Sequence, residues 1–204
     1  MTIHSKEDLK KVIAYERMIW TTRMYPHGAP KHIFSPTLLF MRALRTIEYY
    51  DGLPKGKKIS VRYLYFKTIY KFLSQIKNVM IPPHVFEEGL LIAHLQNIVV
   101  SSRVHVGKCA CVFQNITIGI KLGFDDHGKC PQLGEGVTIC TGACLFGDIQ
   151  IGDGITIGAN SVVTKSFSEP NVVIGGIPAK IISRKPGWSM LSFVEEIKKN
   201  SKDL

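Results

Sequence analysis

The chain has 204 residues, of which 45% are hydrophobic and 21% are charged, which is the ordinary balance of a globular protein. No apolar run is long enough to span a bilayer and the N-terminus lacks a signal-peptide pattern, so we expect a cytoplasmic protein with at most peripheral proximity to a membrane. The formal net charge of +10 favours a polyanionic partner, either a phosphorylated small molecule or an anionic membrane face. Nucleic acid is not expected, because the sequence has no motif for it.

The first part of the chain has helical spacing. Ser5 is a predicted N-cap for a helix that runs to about Met18. Apolar residues recur at a period of three and four over residues 35–48, after Ser-Pro. A third helix is predicted over 61–75, where apolar and aromatic residues surround most of the axis and indicate packing on two sides, including against another subunit. We therefore assign residues 1–78 to an N-terminal helical region.

The second part of the chain, over residues 79–186, has a period of six. Its first slot always holds a branched aliphatic residue: Val100, Val106, Val112, Ile118, Leu133, Ile139, Leu145, Ile151, Ile157 and Val163. Its fifth slot is small or aliphatic: Val104, Ala110, Ile116, Val137, Ala143, Ile149, Ile155 and Ser161. Counted backwards, the same register places Phe86, Ile92 and Ile98 in the fifth slot. Short strands separated by a turn every six residues would point these aliphatics into a triangular tube, so the pattern predicts a mainly β protein with a parallel β-helix.

One insertion interrupts the repeat. Residues 120–132 break the period, and a solenoid carries such an insertion as a loop on its outside, where function is often found. Residues 187–204 leave the repeat and are predicted to be a helical tail.

Five cysteines lie between residues 109 and 144. Their number is odd and their spacing matches no metal site, so we interpret them as reduced, space-filling thiols and expect no bound metal.

Three sequence features resemble the hexapeptide-repeat acetyltransferases. These are the six-residue register, the loop that breaks its fourth turn, and the closing segments IGANSVVTKSF and VVIGGIPAKII. Within that family, GLLIAHLQNIVV resembles the segment of serine O-acetyltransferases that carries the catalytic histidine. The resemblance covers about residues 79–186. It implies a left-handed β-helix, acetyl-CoA as co-substrate, and a homotrimer whose active sites lie between two chains.

The resemblance makes His94 the candidate general base, which would remove a proton from the acceptor hydroxyl. By the backward count His94 also falls in a first slot, where later coils hold an aliphatic residue. The family's second histidine aligns with Cys130, and we expect the nearby His127 to substitute for it. A covalent acetyl-Cys130 enzyme is not expected, because the family transfers the acetyl group directly.

Coenzyme A is expected along a groove between neighbouring tubes. By resemblance, small residues beside its pantetheine arm are Gly142, Ala143, Gly158 and Ala159. Thr164 belongs to the closing segment, and cations for the phosphates are available at Lys165, Lys180, Arg184 and Lys185.

The acceptor is predicted from two positions at which the sequence departs from the pattern of the serine O-acetyltransferases. An aspartate that precedes the family's histidine and pairs with the ammonium of serine is replaced by Ala93, and an orienting aspartate aligns with Val79. These losses favour a neutral acceptor, so we predict an acetyl-CoA-dependent O-acetyltransferase acting on a sugar hydroxyl of a surface polysaccharide or its precursor. The alternatives are serine O-acetyltransferase, an N-acetyltransferase on an amino sugar, and a non-catalytic trimeric scaffold.

Overall fold

A computed structural model describes residues 3–26, 35–54, 60–121, 128–188 and 190–200. Its helices are α1 Lys6–Met24, α2 Pro36–Asp51, α3 Val61–Lys77 and α4 Met190–Asn200. Each of α1, α2 and α3 begins after a serine whose hydroxyl accepts a hydrogen bond from the backbone amide three residues later, as N-cap residues do. The Ser5 cap is where the sequence predicts it, whereas all three helices continue past their predicted ends.

The strands are short and stack in three sheets. They are β1 Val79–Met80, β2 Leu91–Ile92, β3 Ile98–Val100, β4 His105–Val106, β5 Cys111–Val112, β6 Thr117–Gly119, β7 Gln132–Leu133, β8 Thr138–Ile139, β9 Cys144–Phe146, β10 Gln150–Ile151, β11 Thr156–Ile157, β12 Val162–Val163, β13 Val173–Gly176 and β14 Ala179–Ser183. Sheet A has the order β1-β3-β6-β9-β12, sheet B has β10-β7-β4, and sheet C has β14-β13-β11-β8-β5-β2. Every pairing is parallel except that of β13 with β14.

The interior of the tube is made by the two aliphatic slots of the repeat. All ten first-slot residues are at most 3% exposed, and so are all eight fifth-slot residues. Burial of these side chains, at about 25 cal/mol per Å² of apolar surface, is the main stabilising contribution of this part of the chain. The predicted fold, a left-handed parallel β-helix with an N-terminal helical region, is confirmed.

The backward count of the repeat is wrong at its N-terminal end. Phe86 and Ile92 pair with Val106 and Val112, which are first-slot residues, and so they occupy first slots themselves. From Ile92 to the next first-slot residue, Val100, the chain runs eight residues instead of six. The two additional residues widen the turn that contains His94, which therefore does not occupy a first slot.

A buried ion triad joins the helices to the first coil. All five N–H donors of Arg45 find acceptors: two carboxylates, Glu16 and Glu48, and the backbone carbonyls of Phe86 and Glu87, at 2.6–3.2 Å. All three side chains of the triad are at most 4% exposed. Because the triad holds α1 and α2 against residues 84–90, it fixes the segment that leads into β2.

The outer faces of the sheets differ. Sheet C is covered by α1 and by the C-terminal segment, whose Trp188 carbonyl accepts from the hydroxyls of Thr138 and Thr156. On sheet A the outward side chains of Met80 and Val99 are 55% and 38% exposed, and no described helix other than α3, at β1, contacts that sheet closely. No described helix is both long and apolar enough to cross a membrane.

Candidate active site

His94 lies in the widened turn between β2 and β3, and its side chain is exposed. The backbone beneath it is fixed, because Ala93 N donates to Val112 O at 2.9 Å and the indole of Trp20 donates to Ile92 O at 3.1 Å. The ring of His94 is 6.4 Å from that of Phe113, centroid to centroid. An accessible imidazole on a rigid backbone is suited to accepting a proton from a bound hydroxyl.

Three polar side chains near His94 in the sequence, which could in principle orient its ring, are engaged elsewhere. The Asn97 amide donates to Asn115 at 3.1 Å. Glu87 is 3.2 Å from His105, and Glu88 is 3.0 Å from Lys108. Within the described residues the His94 ring has no hydrogen-bond partner, so a bound molecule or a second chain has access to both of its nitrogens.

We call the turns that lead from sheet C to sheet A the His94 corner; they comprise residues 93–97, 113–116, 140–143 and 158–161. Four residues with positive φ stack along it: Asn97, Asn115, Gly142 and Asn160. The amide of Asn97 donates to Lys77 O at the end of α3, and each of the other three donates to a carbonyl of the coil before it, at 2.9–3.2 Å. At Gly142, with φ +74°, an added Cβ would collide with the Asn160 amide oxygen, so this position also requires a close approach.

Polar groups at the His94 corner remain without partners. In the described part of the chain, the backbone amides of Thr141 and Ala159 donate to no acceptor. The side-chain oxygen of Gln114 is buried and has no hydrogen-bond partner among the residues that the structure describes. Since buried polar groups are normally paired, an unpaired acceptor one coil away from His94 indicates a place for a ligand. Sequence reasoning missed Gln114, although its position eighteen residues after Gln96 places the two side by side in successive coils.

Of the residues expected to bind coenzyme A, four cluster along this corner. Gly142, Gly158 and Ala159 belong to its turns. Lys180 pairs with Gly175 in β13, the strand beside β11, and so lies at the C-terminal end of the same corner. Ala143 lies inside the tube and is fully buried, so its side chain cannot touch a ligand outside.

The other expected residues lie elsewhere on the chain. Thr164 and Lys165 follow β12 at the opposite edge of sheet A, and the Lys165 ammonium lies 5.4 Å from the Phe167 ring centroid. Arg184 forms an ion pair with Glu169 at 3.1 Å. In a single chain these three residues therefore do not meet His94.

The inserted loop also leaves the tube at that opposite edge, between β6 and β7. His127 lies outside the described residues. After it, Gly128 accepts from Arg103 at 2.9 Å, and Lys129 forms an ion pair with Asp148 at 2.7 Å. The described end of the loop is thus separated from His94 by the width of sheet A.

The cysteines are all free thiols. Burial raises the pKa of the Cys111 thiol to about 12, and burial also raises the pKa of Cys140. Cys130 is buried, with its sulfur 3.4 Å from the Ser101 hydroxyl. Among the described residues no cluster of three or more metal-ligating side chains occurs.

Sequence comparison finds serine acetyltransferases among the relatives of this chain. The serine acetyltransferase of Buchnera aphidicola subsp. Schizaphis graminum (strain Sg) is 29% identical over 155 residues, which are 76% of this chain and 58% of the relative. That of Escherichia coli K12 is 34% identical over 108 residues, 50% of this chain and 38% of the relative. No family model matches the chain.

Structure comparison agrees. The crystal structure of serine acetyltransferase from Brucella abortus strain S19 superposes with a TM-score of 0.67 and 26% identity, over 90% of this chain and 72% of that one. Its complex with coenzyme A superposes with a TM-score of 0.65 and 24% identity, over 89% of this chain and 70% of that one.

This chain resembles the serine acetyltransferases. The resemblance expected from the sequence is confirmed, and it extends from the β-helix into the N-terminal helices. The chain spans 58% of the length of the serine acetyltransferase from Buchnera aphidicola subsp. Schizaphis graminum. The prediction of a sugar acceptor on a polysaccharide is wrong, because the relatives found are named serine acetyltransferases. The loss of the aspartate at Ala93 misled that prediction, since a single missing side chain does not identify a different acceptor.

Proposed function

We propose that this chain is an acetyl-CoA-dependent O-acetyltransferase whose acceptor is L-serine and whose general base is His94. The observation that carries the proposal is the exposed His94 ring at one end of a corner that offers unpaired amides, on a fold shared with serine acetyltransferases. The pantetheine arm of acetyl-CoA fits this corner, because its amide carbonyls can accept hydrogen bonds from the backbone amides of Thr141 and Ala159.

The reaction is a direct transfer. His94 takes the proton of the acceptor hydroxyl while the hydroxyl oxygen bonds to the acetyl carbon and the bond from that carbon to sulfur breaks. The proton then passes from His94 to the departing thiolate, so that the ester and free coenzyme A leave and the imidazole is again neutral. Binding acetyl-CoA beside the unpaired amides places the thioester near His94, which converts a bimolecular encounter into a positioned one.

The active site is proposed to need a second copy of the chain, arranged as in a homotrimer. The His94 corner and the described ends of the loop, residues 120–121 and 128–132, lie on opposite edges of sheet A, so a loop can approach His94 when it comes from a neighbouring tube. The bare outer face of sheet A supports this arrangement, because its outward column is mainly apolar: Met80, Val99, Thr117, Cys144 and Val162. Phe72 and Ile76 on α3, both more than half exposed, are additional apolar surface.

The test is release of the free thiol of coenzyme A from acetyl-CoA in the presence of L-serine. His94→Ala should reduce kcat by about 10²–10⁴-fold, the usual contribution of a general base. His105→Ala, at another exposed histidine, is the matched control and should retain full activity. Absence of turnover by the unmodified protein with L-serine would refute the acceptor, and an unchanged rate in His94→Ala would refute the base.

A further inference from the structure

A cavity of about 490 Å³ lies among the N-terminal helices. Its wall is formed by side chains of α1, together with one residue each from α2 and α3: Lys10, Ile13, Ala14, Arg17, Met18, Thr21, Arg42 and Arg62. A second cavity of about 220 Å³, between α1 and α2, shares three of these residues, Ile13, Arg17 and Arg42. Together they form a groove, here called the helical groove, of the size that small-molecule sites have. Neither cavity is lined by His94.

Four cations face the helical groove and no ionised partner neutralises them. Within the described residues, neither Lys10 nor any of the three arginines forms an ion pair. The one carboxylate that lines the groove, Glu16, is committed to Arg45 and to the Leu90 amide. Like charges gathered in one concavity raise the local potential and attract a counter-anion.

Two of the cations are held in place by packing. The guanidinium carbons of Arg42 and Arg62 lie 5.2 Å and 5.9 Å from the centroid of the same ring, that of Phe66. Phe66 is only 5% exposed, so the ring is a fixed support. Stacking leaves the N–H forks of both arginines free to bind oxygen atoms, and this preorganisation lowers the entropy lost on binding an anion.

Apart from the cations, the wall of the groove is apolar, except at the Thr21 hydroxyl, which can only accept a hydrogen bond. Ile13, Ala14 and Met18 line the groove with hydrocarbon. The Thr21 hydroxyl already donates within its helix, to Arg17 O and Met18 O, at 2.9 and 3.0 Å. The groove thus combines forked cationic donors with an apolar wall.

We propose that the helical groove binds an organic phosphate, with the phosphoryl oxygens on Arg17, Arg42 and Arg62 and an apolar part against Ile13 and Met18. Arginine forks match the tetrahedral oxygens of phosphate in bidentate pairs, and several unpaired cations require more than one negative charge. The phosphate belongs either to a soluble compound or to a lipid headgroup. This site is separate from the proposed active site.

The test is calorimetric titration of the protein with inorganic pyrophosphate in the absence of coenzyme A. Arg17→Gln/Arg42→Gln should weaken binding about ten-fold or more, because two charge-assisted contacts are lost. Lys6→Gln/Lys11→Gln removes the same charge from exposed positions of α1 outside the groove and should change the dissociation constant less than two-fold. Both variants alter exposed side chains, and their thermal melts should match that of the unmodified protein.

Sedimentation with vesicles identifies the source of the phosphate. A lipid headgroup is assigned if the protein pellets with phosphatidylglycerol vesicles but not with phosphatidylcholine vesicles. Pyrophosphate should reverse this pelleting, and Arg17→Gln/Arg42→Gln should abolish it. Pyrophosphate binding without pelleting assigns a soluble compound. The proposal is overturned if the protein binds neither probe, if the double variant binds as tightly as the control, or if Lys180→Gln rather than the double variant removes pyrophosphate binding. None of these outcomes depends on turnover with serine.

Discussion

At the scale of single residues, His94 is exposed because the turn that carries it has two more residues than the repeat requires. Ile92 fills the first slot in its place and remains fully buried. The histidine is therefore recognisable from the segment around it, whereas the argument that it breaks the six-residue rule does not hold. A period derived from regular coils fails first at the end of a solenoid, where capping elements replace neighbouring coils.

Ala93 is where affinity for serine can be tested. The residue is 8% exposed and its methyl group offers nothing to an ammonium. Ala93→Asp should lower the KM for L-serine about ten-fold, because a charge-assisted hydrogen bond contributes roughly 1.5–3 kcal/mol. Steady-state kinetics checks this, with Ala93→Asn as the uncharged control. An equal effect of both substitutions would show that charge at residue 93 does not bind the acceptor.

Cys111 should be inert in the folded protein. With a thiol pKa of about 12, roughly one molecule in 10⁴ is ionised at pH 8, and the thiolate is the reactive form. Mass spectrometry after a brief treatment with iodoacetamide at pH 8 should find Cys111 unmodified in native protein and fully modified in urea. Rapid labelling of the native protein would contradict its burial beneath α1.

At the scale of elements, the Arg45 triad connects the helices to the coil that precedes His94. It contains one cation and two carboxylates. Burial raises the pKa of the Glu16 carboxyl, against the opposing effect of Arg45. The structure thus accommodates the additional negative charge through the amides of Leu90 and His84, which donate to Glu16 and Glu48 at 3.2 and 2.9 Å.

Arg45→Met should reduce the free energy of unfolding by about 3–5 kcal/mol at pH 7, because it leaves two unpaired buried carboxylates. Burial raises the pKa of the Glu16 carboxyl and the opposing effect of Arg45 is lost in the variant, so the folded state binds more protons than the unfolded state. The stability of the variant should therefore increase as the pH falls from 7 to 5, as measured by urea denaturation. Arg45→Met/Glu16→Gln/Glu48→Gln is the charge-free control and should show little of that pH dependence.

Sequence reasoning predicted the elements unevenly, for physical reasons. The tube was predictable because each first-slot residue, such as Val106 or Ile139, must be a buried aliphatic. Ser5 marks the start of α1 in the sequence, whereas α1 continues to Met24 through Trp20, whose contact with Ile92 is a tertiary one. Gly142, Gly158 and Ala159 were selected by family resemblance, and the structure brings them together in successive turns. The buried, unpaired Gln114 oxygen does not, because pairing depends on neighbours in space.

At the scale of the whole molecule, the proposed trimer predicts that a charge on sheet A separates the chains. Val99 points outward from β3, so Val99→Glu leaves the core of the tube unchanged and places a carboxylate on the proposed interface. We expect a lower mass in light scattering and loss of thiol release. Gln150→Glu, on the exposed outer face of sheet B, should change neither. An unchanged mass in Val99→Glu would place the interface elsewhere.

The reversal of β14 against β13 determines how the molecule ends. A stack of parallel coils exposes its last backbone edge, which could in principle template another chain and begin a fibre. Here the last strand, β14, folds back on sheet C and carries the exposed Lys180 across that end, and Arg184 follows it in an ion pair with Glu169. A second molecule approaching end-on would meet the antiparallel β13–β14 hairpin and the positive charge of Lys180. Growth along the axis is thereby discouraged, while the flanks stay available for lateral association.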